Sequence, residues 1–378
     1  MKIMKHGTFF VSFLCMLTFS CKNEKPPEQT DSRDVSIYVD TQRESFTGLF
    51  GNIEMIPLED KKEGMLSKVS RLKKRGHYYC ILDEGASPQV CLYNLDGRFV
   101  RNIGALGHSK NEYICLTDVA FGENRIAILD CNHIVKVFDY DNKFVFEKNL
   151  GEGMYFKSIE ARPGGYVCIS PHLGENDQQK SILYFYDEKF NLCSEQIASL
   201  PVAINDAPFI KHGFQSNDSC YFYFDFFRST LFKGEVHTYS LLNSYTFQVP
   251  RFPNSSDFMD GSFFKNLGNY DCITREYVFK ERLYAYITYD DIMSSLVVNL
   301  DKGEGVVRHY SDWYPQLFDD DGKSFYSVIP ADRLLTLLED KSSIAEKTRM
   351  MLLNCVQKKN FKLRPTDNFV IIKMDPIQ

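Results

Sequence analysis

The chain of 378 residues is 44% hydrophobic and 14% aromatic, enough to bury a sizeable core in one large domain or two average ones. Its formal net charge of −6 is mild and spread along the sequence, which excludes the basic footprint of a nucleic-acid binder. The rings are 31 Phe and 22 Tyr with a single Trp, a composition that favours strands over helices.

Residues 1–20 read as a signal peptide. Lys2 and Lys5 supply its positive start, and the apolar run 9–19 is too short to span a bilayer as a helix. The run ends Thr18-Phe19-Ser20-Cys21, which resembles a lipobox and makes Cys21 the expected lipid-attachment residue. An ordinary signal peptide with an incidental cysteine is the alternative. Several acyl chains on Cys21 would anchor stably, each buried methylene contributing about 0.8 kcal/mol. Residues 21–45 then comprise the lipidated N-terminus, a charged, Pro-rich tether and a possible first closing strand. The folded domain follows over 46–378. Lys22 with Glu24 nearby resembles a weak surface-export signal of some Gram-negative anaerobes.

Of eleven cysteines, nine remain once Cys15 and Cys21 are set aside. They show neither CxxC nor Cys/His metal spacing and are expected to be reduced, mostly buried thiols. The one pairing that the spacing offers is Cys80 with Cys91 across a short hairpin.

The chain repeats itself. Residues 90–100 match 135–145 at an offset of 45, and a third copy occupies 183–190. Each copy is an apolar strand, a tight turn (Asp96-Gly97, Asp141-Asn142, Asp187-Glu188), a basic residue and another strand. The turn residues suit a two-residue hairpin. Upstream of such hairpins, strands end in Asp83, Asp130, Asp225 and Asp290, and a further strand precedes those. Four strands, A to D, per ~45 residues is the spacing of a propeller blade. Units fall near 67–103, 114–149, 155–197, 207–248 and 273–310. A sixth is split by a helical insertion near 331–359 and runs out of chain. Segments 35–39 and 52–58 can supply its missing strands, so the expected fold is an all-β, six-bladed β-propeller closed by strands from both termini.

The stretch Glu54-Met55-Ile56-Pro57-Leu58-Glu59, the loop from Ile103 to Glu112-Tyr113, the strand Ile126 to Asp130, and Asp367-Asn368-Phe369 together resemble the six-bladed β-propeller lipoproteins of Gram-negative gut anaerobes. The similarity covers about 46–378. It implies that fold and an envelope location.

No nucleophile elbow, zinc-protease helix, P-loop or dinucleotide fingerprint is present. No cofactor is expected. Calcium is the one candidate, at Asp319-Asp320-Asp321-Gly322, against an acidic surface turn. The strand-end aspartates Asp83, Asp130, Asp225 and Asp290 could ring the axis and hold a cation or a polyhydroxylated ligand. Alternatively each caps its own B–C turn. His133, His172 and Arg228 in B–C loops, with Trp313 and Tyr314 in a D–A loop, vary between blades as a binding site would. The long loops 170–180, 249–272 and 311–323 place the expected site on that face, near the axis. The basic cluster Arg71, Lys73, Lys74, Arg75 reads as a solvated strand face.

Two functional readings follow. One is a monomeric, non-enzymatic lipoprotein of the outer membrane, periplasmic or surface-exposed, anchored in the membrane and binding a glycan, a peptide or an envelope protein. The other is a propeller enzyme, a metal-assisted lyase or hydrolase built on axial carboxylates.

Overall fold

A computed structural model describes residues 31–44, 48–131, 133–151, 154–170, 180–198, 214–226, 229–254, 256–257, 262–266, 269–289, 292–310, 315–341, 346–359 and 362–377. Three antiparallel sheets follow one another along the chain. They are β3 (Val69–Arg75) to β6 (Phe99–Asn102) through β4 (Tyr78–Asp83) and β5 (Gln89–Asn94); β7 (Leu116–Phe121) to β10 (Phe144–Asn149) through β8 (Ile126–Asp130) and β9 (Ile134–Phe138); and β11 (Ser158–Arg162) to β14 (Leu192–Ala198) through β12 (Gly165–Ile169) and β13 (Lys180–Asp187). Within each, neighbours in sequence are neighbours in space. The molecule is an all-β propeller.

Apolar clusters sit between adjacent sheets, not inside any one of them. Cys80, Leu82 and Val90 of the first sheet pack on Val119, Ile126 and Ile128 of the second. Ala127, Leu129 and Val135, from the other face of the second, pack on Ile159 and Cys168 of the third. Middle strands are therefore buried on both sides and read as unbroken apolar runs, as β8 does with Ile-Ala-Ile-Leu-Asp. Outer strands show an exposed face, as β10 does.

The register of β4 and β5 excludes the Cys80–Cys91 pairing. Cys91 stands opposite Ile81 and Cys80 opposite Leu92. Side chains alternate between faces, so Cys80 enters the cluster toward the second sheet and Cys91 the cluster around Tyr326. The thiols lie on opposite faces of one sheet.

The repeated C–D turns are three-residue loops, not the expected two-residue hairpins. In the first, Gly97 N–H donates to Asn94 O at 3.0 Å and Asn94 N–H to Arg98 O at 2.9 Å. That is a tight turn closed by a left-handed residue. Gly97, Asn142 and Phe190 fill that position with φ of 82°, 65° and 58°. Asn94, Asp139 and Asp187 hold each loop by accepting two backbone N–H bonds.

Two more antiparallel sets, β15 (Phe214–Ser216) to β18 (Leu241–Phe247) through β16 (Cys220–Asp225) and β17 (Thr230–Glu235), and β19 (Cys272–Phe279) to β22 (Glu304–Tyr310) through β20 (Arg282–Tyr289) and β21 (Ile292–Asn299), merge into one nine-stranded sheet. The joint is β1 (Asp31–Glu44). Its residues 31–35 run parallel to β18, and 36–40 continue parallel to β22. Segment 35–39 is thus a strap across the rims of two sheets. It is not the closing strand that its sequence suggested.

Closure falls to β2 (Phe50–Pro57). It pairs with β25 (Val370–Pro376), followed by β24 (Phe325–Ile329) and β23 (Asp319–Asp320). Between β24 and β25 lies the expected insertion, as two helices, α1 (Ala331–Glu339) and α2 (Glu346–Lys359). Leu334, Leu337 and Leu352 turn inward onto the closing sheet beside Phe325. Among the described residues no helix is long and apolar enough to cross a membrane.

Candidate functional site

Asp83 and Asp130 end β4 and β8, buried and on equivalent positions. Their carboxylates take mainly backbone N–H groups, with Ser67 Oγ also on Asp83 and Cys131 Sγ on Asp130. Asp83 accepts N–H bonds from Lys68 at 2.6 Å, Ser67 at 3.1 Å and Gly85 at 3.2 Å. Asp130 accepts from Cys115 at 2.8 Å and Ile114 at 3.0 Å. Each aspartate therefore fastens the chain approaching strand A of its own sheet. The Gly85 bond of Asp83 is a cap of the B–C turn, as expected from sequence. Asp225 is buried at the matching end of β16. Among the described residues no three His, Cys, Asp or Glu side chains gather as a metal-holding set. His133 is half-buried just before β9, its carbonyl accepting Leu150 N–H at 2.8 Å. Cys21, His172, Arg228, Asp290, Trp313 and Tyr314 lie outside the described residues.

The turn Asp319-Asp320-Asp321-Gly322 starts buried and ends at the surface, with Asp321 and Gly322 exposed. Asp319 is buried and accepts Lys74 N–H at 2.6 Å. Asp320 takes the Tyr277 hydroxyl at 2.7 Å and Asp321 the Tyr326 hydroxyl at 2.6 Å. All three carboxylates are committed to protein donors.

The basic cluster is not a solvated face. The first strands of neighbouring sheets pack against one another, β3 on β23 and β7 on β11. Alternation along β3 points Arg71, Lys73 and Arg75 to one side. There they meet acids from the first strands of three other sheets. Arg71 clasps Asp118 through two bonds of 2.6 Å, bonds Glu160, and reaches Ser158 Oγ at 2.8 Å. Lys73 joins Glu160 at 3.1 Å to Asp319 at 3.5 Å, and Arg75 holds Asp319 at 3.3 Å. Burial pulls the Arg71 guanidinium down, but Asp118 and Glu160 more than reverse this and hold it above its ordinary value. Burial pushes the Asp319 carboxyl up against the pull of Lys73 and Arg75. Three cations and three anions thus fill the axis where these strands converge.

Sequence reasoning missed this network. A signal existed in the period-two basic residues on one blade's first strand, with acids at the corresponding strands of the next two. Without knowing that β3 is innermost, a charged strand face is indistinguishable from a solvated one.

Beyond Arg75, on the face of the tight turns, the axis opens into a cleft of about 380 Å³. Its walls come from the A–B turns 122–125, 163–165 and 216–218 and from Glu188. Arg162 is nearly buried there, donating to Tyr186 O at 2.9 Å and Tyr239 Oη at 3.1 Å and lying 4.9 Å from the Tyr239 ring. Arg125 lies 6.0 Å from the Phe146 ring. Burial, eased by Arg125 and reinforced by Glu188, pushes the Tyr166 phenol up to about 12, so it stays a protonated donor. Glu188 and Asp218 are exposed at the rim. The cleft offers guanidinium and phenol donors inside and carboxylate acceptors outside, the equipment of polar recognition.

A family profile described as a domain of unknown function (DUF4934) matches residues 34–375. Among proteins with curated functions, none matches. A solved structure from Bacteroides fragilis, described as that of an exported protein, is 14% identical over 91% of this chain and 100% of its own, with a TM-score of 0.71. BamB from Moraxella catarrhalis is 10% identical over 68% of this chain and 66% of its own, with a TM-score of 0.41.

Proposed function

The chain belongs to the DUF4934 family, and we propose that it serves in the cell envelope as a lipid-anchored, six-bladed β-propeller that binds its ligand without transforming it. The chain order of the four-stranded sets, with β2 completing the last, supports the blade count. The Ser20-Cys21 junction behind a short apolar run supports a lipid on Cys21 and residence at the outer membrane. The exported Bacteroides fragilis protein, alike over its whole length, supports the envelope location.

One observation carries the choice between binding and chemistry. The carboxylates on the innermost strands, Asp118, Glu160 and Asp319, are each neutralised by Arg71, Lys73 or Arg75, and the strand-end Asp83 and Asp130 accept backbone N–H groups. What the axis leaves open is the cleft at Arg125, Arg162 and Tyr166. Its size suits a sugar unit or one or two amino-acid side chains of a glycan or peptide.

The test is a glycan and peptide array probed with purified protein, followed by titration of each hit against variants. Arg125→Ala should weaken a true ligand at least tenfold, about 1.4 kcal/mol. A ligand indifferent to Arg125→Ala but lost in Trp313→Ala or Arg228→Ala would move the site to the opposite, long-loop face. Turnover of a hit would overturn the non-enzymatic reading. Separately, Cys21→Ala should release the protein from the membrane fraction.

A further inference from the structure

We propose that Cys115 and Cys131 are a redox pair that closes into a disulfide at the open end of the β7–β8 hairpin. The closure in cells rests on the export reading above, since disulfides persist outside the reducing cytoplasm. The geometry does not.

In the ladder between β7 and β8, Leu116 stands opposite Asp130. One step further out, Cys131 N–H donates to Cys115 O at 3.2 Å, so the two cysteines face each other across the hairpin mouth. Cα atoms of such a pair lie ~5.5 Å apart. That is inside the ~4.4–6.8 Å range a disulfide needs, with Cys131 in a left-handed turn conformation (φ 49°) just past the end of β8. Both cysteines also converge on a single carboxylate. Asp130 Oδ1 accepts the Cys115 N–H at 2.8 Å and lies 3.3 Å from Cys131 Sγ. Cys115 is exposed and Cys131 half-buried, so an oxidant can reach them. By contrast Cys80, Cys91, Cys168 and Cys272 are buried, and the exposed Cys193 bonds the carbonyl of Asn191.

The reaction is thiol–disulfide exchange with a small or protein-borne disulfide as oxidant. The Cys115 thiolate attacks one sulfur of that disulfide and expels a thiolate. Cys131, deprotonated, then displaces the mixed disulfide and expels the second. Two S–H bonds are lost and one S–S bond forms. The electron pair and both protons end on the oxidant, which leaves as two thiols. The bridge ties the approach to strand A of the second sheet to its B–C turn, next to His133. It would stiffen that mouth of the propeller without touching the axis.

The test treats the purified full chain, first reduced, with oxidised glutathione. Trypsin cuts after Lys110, Arg125 and Lys136, so peptides 111–125 and 126–136 should be recovered joined, lighter by two hydrogens than their sum. Cys115→Ser and Cys131→Ser should each abolish the joined species, Cys193→Ser should leave it, and oxidation should raise the thermal midpoint. Stable glutathione adducts on either cysteine without a link, or a link from either to a different cysteine, would overturn the proposal. A link that forms in the tube while the protein fractionates with the cytoplasm would instead count against export.

Discussion

Asn368 Nδ2 donates to Tyr93 Oη at 3.3 Å although the residues are 275 apart in sequence. The same amide donates to Glu59 O and Gly64 O, and its Oδ1 accepts Leu66 N–H, all in the segment leading from β2 to β3. Asn368 therefore locks the last strand to the first sheet. Asn368→Ala leaves buried donors and acceptors bare, at about 1–3 kcal/mol for each group that water cannot reach. We expect a loss of about 3 kcal/mol by urea denaturation. A loss below 1 kcal/mol would mean that closure does not depend on this amide.

Arg71→Met should be among the most damaging single changes at the axis. It leaves Asp118 without its cation and Glu160 with Lys73 alone, both acids nearly buried beside an apolar side chain. Removing one partner of a buried ion pair costs about 3–5 kcal/mol, whereas removing both sides of a pair can be close to neutral, and Lys73 keeps Asp319 as its partner. The triple variant Arg71→Met, Asp118→Asn, Glu160→Gln should therefore recover most of that loss. If the triple variant is as unstable as the single one, the cost is packing and not charge.

Deleting residues 31–44 should leave a folded protein that self-associates. The deletion uncovers β18 and β22, whose free edges are templates for another chain. Sedimentation should show mass rising with concentration in the deletion and not in the parent. Deleting 369–378 should instead unfold the domain, because β25 is an interior strand with β2 and β24 on its flanks.

Cys131 should react slowly at neutral pH. Burial first, then its bond to Asp130, pushes this thiol up to about 11. Only the thiolate is nucleophilic. Alkylation of Cys131 in a Cys115→Ser background should therefore quicken about tenfold per pH unit until it levels near pH 11. Asp130→Asn should shift that profile to lower pH. A plateau already at pH 8 would contradict the assigned surroundings of the thiol.

The fold was largely legible because its evidence is local and repeated. The hairpins at Asp96, Asp141 and Asp187 and the strand-end aspartates recur at blade spacing, and each reflects a bond made within one sheet. The closing role of 52–58 could be read from the shortage of strands at the C-terminus. The strap could not. Val35 and Ile37 satisfy the strand pattern equally well in any sheet, and only the partner rims decide which. The axial network was hidden for a related reason: Arg71, Asp118, Glu160 and Asp319 belong to different sheets, so nothing local links their charges. At the Asp-rich turn 319–322, composition shows the carboxylates but not the hydroxyls of Tyr277 and Tyr326 that two of them accept.

The placement of β1 and β2 has a consequence for how the protein is made. The segments synthesised first have partners synthesised late: β1 waits for β18 and β22, and Asp60 for Asn368, 308 residues downstream. The middle sheets can assemble as they emerge, since each is a run of consecutive hairpins. β1 and β2 cannot, since β1 waits for β18 and β22 and β2 for β25. Such long-range pairing makes the final step slow and leaves sticky edges exposed meanwhile. A chain cut just before β25 would keep its other sheets and still fail to become a ring, leaving β2 and β24 as open edges.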